Sequence, residues 1–171
     1  MKKITTVRGD IAPSELGFTT IHEHVLGNLT FMRDQLGFVP PIPKEMLRLV
    51  PENYAFLRSG ASVFSEECSA ADDVDYLVRE LNAFKKVGGN AVCDASPIGL
   101  RGNVNDMKNA SEQTNMHIIC ATGLYHASAQ PEKYANKSEK ELITCLTREI
   151  REGIDGTQIK PGFIKCALNT L

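Results

Sequence analysis

Short, continuous apolar runs alternate with amphipathic segments of helical length along this chain, and that alternation constrains the fold more than any other feature. Asn90-Ala91-Val92-Cys93-Asp94-Ala95 is one such run, ended by Ser96-Pro97. Its length and abrupt end predict a buried strand. Ahead of it Val74, Leu77, Val78, Leu81, Phe84 and Val87 recur at helical spacing, and Gly88-Gly89 supplies the stop. Met116 to Thr122, ended by Gly123, predicts the next strand, with a weaker helix over 104–114 before it. Ser138 and Glu141 form a capping box at the start of a third helix. Its expected buried stripe is Leu142, Cys145, Leu146 and Ile150, and Gly153 closes it. Gly162 to Leu168 reads as a further buried strand, and Gly17 to His24 as a first one. Between residues 27 and 70, Pro40, Pro41, Pro43 and Pro51 mark a long irregular stretch. A connection of that length is expected to be functional or to hold short helices of its own.

Apolar strands separated by amphipathic helices imply an α/β fold with a parallel sheet covered on both faces. Two architectures fit: an open doubly wound sheet and a (β/α)8 TIM barrel. A barrel takes about 250 residues, and four of its strands would leave two open sheet edges. The barrel reading therefore expects residues 1–171 to be the N-terminal half, strands one to four, of something larger.

The formal charge of −2 leaves no electrostatic footprint for nucleic acid. No apolar run approaches the roughly 18–20 residues of a membrane helix. Basic residues open the chain without an apolar segment behind them, so no secretory signal is read there and a cytoplasmic protein is expected. Five cysteines, an odd number without C-x-x-C spacing, fit that compartment. Cys93, Cys120 and Cys166 lie in apolar segments and are expected to pack as small hydrophobes.

Two features point to chemistry. In His22-Glu23-His24 the imidazoles stand at i and i+2, on one side of a strand, where both can face one cation. The alternative is two polar histidines on a half-exposed face. Their place at the C-terminal end of the strand favours a site, because parallel α/β folds build sites there. Lys165 interrupts Phe163-Ile164-Lys165-Cys166-Ala167, where a strand core should be apolar. Either it snorkels to the strand end, or burial lowers its amine pKa so that it can add CO2 as a carbamate, an anion able to bridge paired cations. Asp94 either caps its turn or accepts a hydrogen bond behind the ligands. Tyr125 follows the third strand and would line the mouth of a site. His126 reads equally as a loop residue or a contact, and His117 as structural. No G-x-S-x-G, Walker or G-x-G-x-x-G pattern is present in the sequence.

Gly9-Asp10-Ile11 followed by Leu16 to His24 resembles the N-terminal signature of the phosphotriesterase family of the amidohydrolase superfamily. Asp94-Ala95-Ser96-Pro97-Ile98-Gly99 is similar to its second-strand signature, and Ala121-Thr122-Gly123-Leu124-Tyr125 to its third-strand end. Gly162 to Ala167 resembles the segment around its carboxylated lysine. Leu100-Arg101-Gly102-Asn103 departs from the Gly-Arg-Asp more usual there. The resemblance implies a TIM barrel of the metal-dependent hydrolase type with two divalent cations, usually Zn2+, at its C-terminal face. His22 and His24 would bind the more buried cation, N-carboxylated Lys165 would bridge both, and Tyr125 would face a small-molecule substrate. The family takes two further histidines and an acid/base aspartate from later strands, expected beyond Leu171. A metal-bridged hydroxide would then attack a lactone, ester, amide or phosphotriester centre. A homodimer that binds neither nucleic acid nor membrane is the expected assembly. The isolated chain is expected to be inactive. The alternative is a non-catalytic half-barrel that associates with itself or a partner.

Overall fold

The computed structural model describes residues 2–167. Phe18–Glu23 (β1), Gly89–Asp94 (β2), His117–Thr122 (β3) and Phe163–Ile164 (β4) form one sheet in the order β1-β2-β3-β4. All three pairings are parallel. A doubly wound sheet reverses its strand order at a switch point. Neighbours that follow the chain order throughout are the arrangement of a barrel, and the fold is an α/β half-barrel of four strands. The last predicted strand is shorter than expected, pairing only at Phe163 and Ile164; Leu168 lies outside the described residues.

Three helices connect these strands: Val74–Lys86 (α1), Val104–Thr114 (α2) and Glu139–Arg151 (α3). Each begins where a side chain satisfies an orphan amide. Asp73 accepts from the Tyr76 N–H, Asn103 from that of Asn105, and Ser138 from that of Glu141. A cap of this kind contributes about 1 kcal/mol. Leu77 and Leu81 of α1 and Met107 and Ala110 of α2 meet Val92, Ile118 and Cys120 in the main core, which Val7, Leu26 and Ile154 complete.

The expected buried stripe of α3 requires correction. Leu142, Cys145 and Leu146 are only half-buried, Ile150 is exposed, and Glu149 is the buried residue of the helix. Arg101 explains the inversion. Its guanidinium, itself buried, meets both carboxylate oxygens of Glu149 at 3.0 and 3.2 Å and donates to the Ala121 carbonyl at 2.9 Å. The Thr122 hydroxyl donates to Glu149 at 2.6 Å. Burial opposes the Arg101 charge, but bonding and attraction from Glu149 and Asp155 outweigh it and raise the pKa. The cysteines divide similarly: Cys120 is enclosed as expected, Cys93 is half-buried, and Cys166, at the open side of the sheet, is exposed.

The stretch from residue 27 to 70 holds short helices at Thr30–Gln35 and Tyr54–Arg58, and its ends pair as Gly27–Asn28 with Ala70–Ala71. An antiparallel hairpin, Ile4–Thr6 with Gly9–Ile11, covers the N-terminal end of the sheet. The Val7 amide donates to the Ile118 carbonyl, and Arg8 reaches Asn115, the Met116 carbonyl and His117. His117 is thus a structural contact. Among the described residues, no helix is long and apolar enough to cross a membrane.

Candidate metal centre

Register and a local irregularity bring the prospective ligands to one end of the sheet. Thr20 pairs with Val92 and Glu23 with Asp94, so β1 has one residue more than β2 between those pairs. An extra residue of this kind bends a strand and re-aims its side chains. His22 lies within this irregularity and His24 just past it, and their rings are 5.4 Å apart at 72°. On the far side of the sheet, the Lys165 amide donates to the Thr122 carbonyl at 2.8 Å, which carries the chain past the end of β3. Gly123 makes that approach possible. Its φ is +117°, and a Cβ there would run into the Lys165 carbonyl oxygen.

The turn after β2 touches both flanks. The Ala95 amide donates to the Glu23 carbonyl at 2.8 Å, and Lys165 Nζ donates to the Ala95 carbonyl at 3.4 Å. His24 Nδ1 lies 2.8 Å from Ser96 Oγ, which donates at 2.6 Å to Asp94 Oδ1. Asp94 and Ser96 are fully buried. Burial pushes the Asp94 carboxyl up to about 7, against the opposing pull of Ser96, the Val25 and Ser96 amides and Arg101. Its Oδ2 has no hydrogen-bond partner among the described residues. Partial burial, with the neighbouring His22 and Lys165, holds His24 below the usual histidine range and so favours the neutral ring a metal requires.

Lys165 departs from expectation. It is half-buried rather than enclosed in an apolar core, because β4 lies at the side of the sheet. His22 and His24 are exposed. Tyr125 is half-buried after β3, stacked on His126 at 4.3 Å, with the edge of Phe31 at 5.7 Å from the tyrosine ring. Phe31 and His126 are the aromatic neighbours of Tyr125, and nothing in the sequence around Phe31 singles it out. Burial pushes the Cys120 thiol up to about 12, far from a nucleophile's range.

Among the described residues, no group of three or more His, Cys, Asp or Glu side chains is placed to hold a metal. The available donors are two imidazoles and the Lys165 amine. They fit a cation in kind: two nitrogen ligands, one with its remote nitrogen already engaged by Ser96, and an amine that N-carboxylation would turn into an oxygen donor. A cavity of about 1090 Å3 between β1 and α1 is lined in part by His24 but by neither His22 nor Lys165.

A family model described as the phosphotriesterase family matches residues 2–170. N-acetyltaurine hydrolase from Rattus norvegicus is 33% identical over 165 residues, covering 95% of this chain and 46% of the relative. The chain spans about half the length of the curated relatives it matches. Among solved structures, a resiniferatoxin-binding protein from Rhodobacter sphaeroides superposes with a TM-score of 0.80 at 28% identity, over 95% of this chain and 45% of that one. A double mutant of organophosphorus hydrolase from Deinococcus radiodurans gives 0.65 at 26%, over 96% of this chain and 43% of that one.

Proposed function

The chain belongs to the phosphotriesterase family, and on that premise we propose that it supplies the His22, His24 and Lys165 side of a zinc centre that hydrolyses an amide, ester, lactone or phosphotriester. The observation that carries this reading is the convergence of His24 and Lys165 on one three-residue turn, Asp94-Ala95-Ser96, with the His22 ring 5.4 Å from that of His24. The amide class comes first, because N-acetyltaurine hydrolases recur among the relatives at 27–33% identity. When bound, the cations would supply Lewis acidity, lowering the pKa of water and polarising the scissile group.

The chain's own residues prepare that site. A neutral Lys165 amine bonds to the carbon of CO2 and releases one N–H proton to solvent, giving an N-carboxylate. One N–H would remain on Nζ, enough to keep the hydrogen bond to the Ala95 carbonyl. Partial burial is the main cause that favours the neutral form of His24. The aromatic group of Tyr125, His126 and Phe31 offers an apolar wall on which a substrate can rest. The acid/base group and the ligands of a second cation are not among these residues.

Zinc titration of the purified chain in bicarbonate, read by competition with a chromophoric chelator, tests the proposal. One zinc per chain is expected, lost in the His22→Ala/His24→Ala double variant and weakened in Lys165→Ala. Equal zinc uptake by wild type and the double variant overturns it. A second reading rests on Phe18, Ile21 and Ile164, exposed at 66%, 80% and 64% on the outer strands: a half-barrel that associates without catalysing. A concentration-dependent dimer that takes up no zinc would favour it.

A further inference from the structure

Ser96 does not stand out in the sequence, yet it is the side chain that holds His24. It is fully buried at the end of β2, and its hydroxyl has a single proton to place. That proton goes to Asp94 Oδ1 at 2.6 Å. Toward His24 Nδ1, 2.8 Å away, Ser96 Oγ can therefore act only as an acceptor. Nδ1 must then carry the imidazole hydrogen, and Nε2 is left with a bare lone pair.

We propose that Ser96, backed by Asp94, is a positioning residue that fixes His24 as its Nδ1–H tautomer and so presents Nε2 to a cation. The metal-binding half of this inference rests on the function proposed above; the tautomer half does not. The geometry gives the relay a specific purpose. His24 is exposed, so packing does not fix its ring, and the contact with Ser96 is the side-chain hydrogen bond that orients it. Without an acceptor at Nδ1, a neutral histidine favours the Nε2–H form, which has no lone pair on the nitrogen that faces outward. The turn that carries Ser96 also holds Lys165 through the Ala95 carbonyl and the backbone of β1 through the Ala95 amide. One rigid tripeptide thereby sets the angle of an imidazole on one flank and the reach of an amine on the other. Partners of this kind, one bond removed from the metal, typically change affinity by 10–100-fold.

The test uses the whole 171-residue chain labelled with 15N-histidine, free of metal, at pH 8. Long-range 1H–15N correlation reports the tautomer of each ring, with His24 assigned by its absence in His24→Gln. The expected result is Nδ1–H in wild type, a shift toward Nε2–H in Ser96→Ala, and return of Nδ1–H in Ser96→Thr, which restores the hydroxyl. Zinc affinity should fall 10–100-fold in Ser96→Ala and recover in Ser96→Thr. The wild-type spectrum decides even where a variant fails to fold: Nε2–H on His24 overturns the proposal. So does a Ser96→Ala chain with wild-type tautomer and wild-type zinc affinity. A wild type that shows the Nδ1–H form, loses it in Ser96→Ala and binds no zinc supports the relay and overturns the zinc-centre reading alone.

Discussion

Strands β2 and β3 are enclosed along most of their length, whereas β1 and β4 leave Phe18, Ile21 and Ile164 in solvent. The groups with metal chemistry belong to the outer pair: His22 and His24 at the end of β1, Lys165 just past β4. The groups that hold them belong to the inner pair: Asp94 ending β2, Ser96 and Ala95 after it, and Thr122 ending β3. Exposed or half-buried candidate ligands thus stand against a buried hydrogen-bonding frame.

The largest expected effect comes from breaking the frame where charge is buried. Glu149→Ala leaves the Arg101 guanidinium enclosed without its main partner and frees the Thr122 hydroxyl. It should cost about 3–5 kcal/mol, measured by urea unfolding. A loss below about 1 kcal/mol would show that β3 does not depend on the ion pair. Next, the same truncation on an inner and an outer strand sharpens the contrast. Ile118→Ala, at 0% exposure, should cost about 2–5 kcal/mol, while Ile21→Ala should stay within about 0.5 kcal/mol; equal losses would break it.

The third prediction concerns pH. The Asp94 carboxyl titrates near 7 when folded, against an ordinary 3.8, so the folded chain keeps a proton that the unfolded chain gives up first. The stability this group contributes is fully present below about pH 4 and is lost as pH rises through 7. Asp94→Asn should remove that decline, which runs at about 1 kcal/mol per pH unit within the window. Urea midpoints of both proteins from pH 4 to 8 give the slopes, and parallel slopes would sink the assignment.

Legibility in the sequence follows the same division. The inner strands announce themselves because enclosure on both sides demands unbroken apolar runs, and α2 spans the residues its spacing predicts. The capping box at Ser138 and Glu141 is likewise present in the fold. Glu149 was hidden because it occupies the inward face of α3 at helical spacing from Leu142 and Leu146, and only the distant Arg101 makes a carboxylate tolerable there. Ser96 was hidden for a related reason: a serine before proline reads as a turn, and nothing local reveals that a histidine some seventy positions earlier in the chain lies against it. The N-terminal hairpin is not legible, although Gly9, at φ +112°, opens its second strand, because each strand is only three residues long. The imidazole pair was legible because i and i+2 share a side of any strand; the extra residue in β1 that aims it was not.

The hairpin at the floor of the sheet has a further consequence for how the polypeptide comes into being. Its Val7 amide is satisfied by Ile118, and Gly162 packs against the Thr5 carbonyl. Residues 4–11 therefore find their partners only once the chain as far as Ile118 and Gly162 has been made. Until then their docking cannot begin.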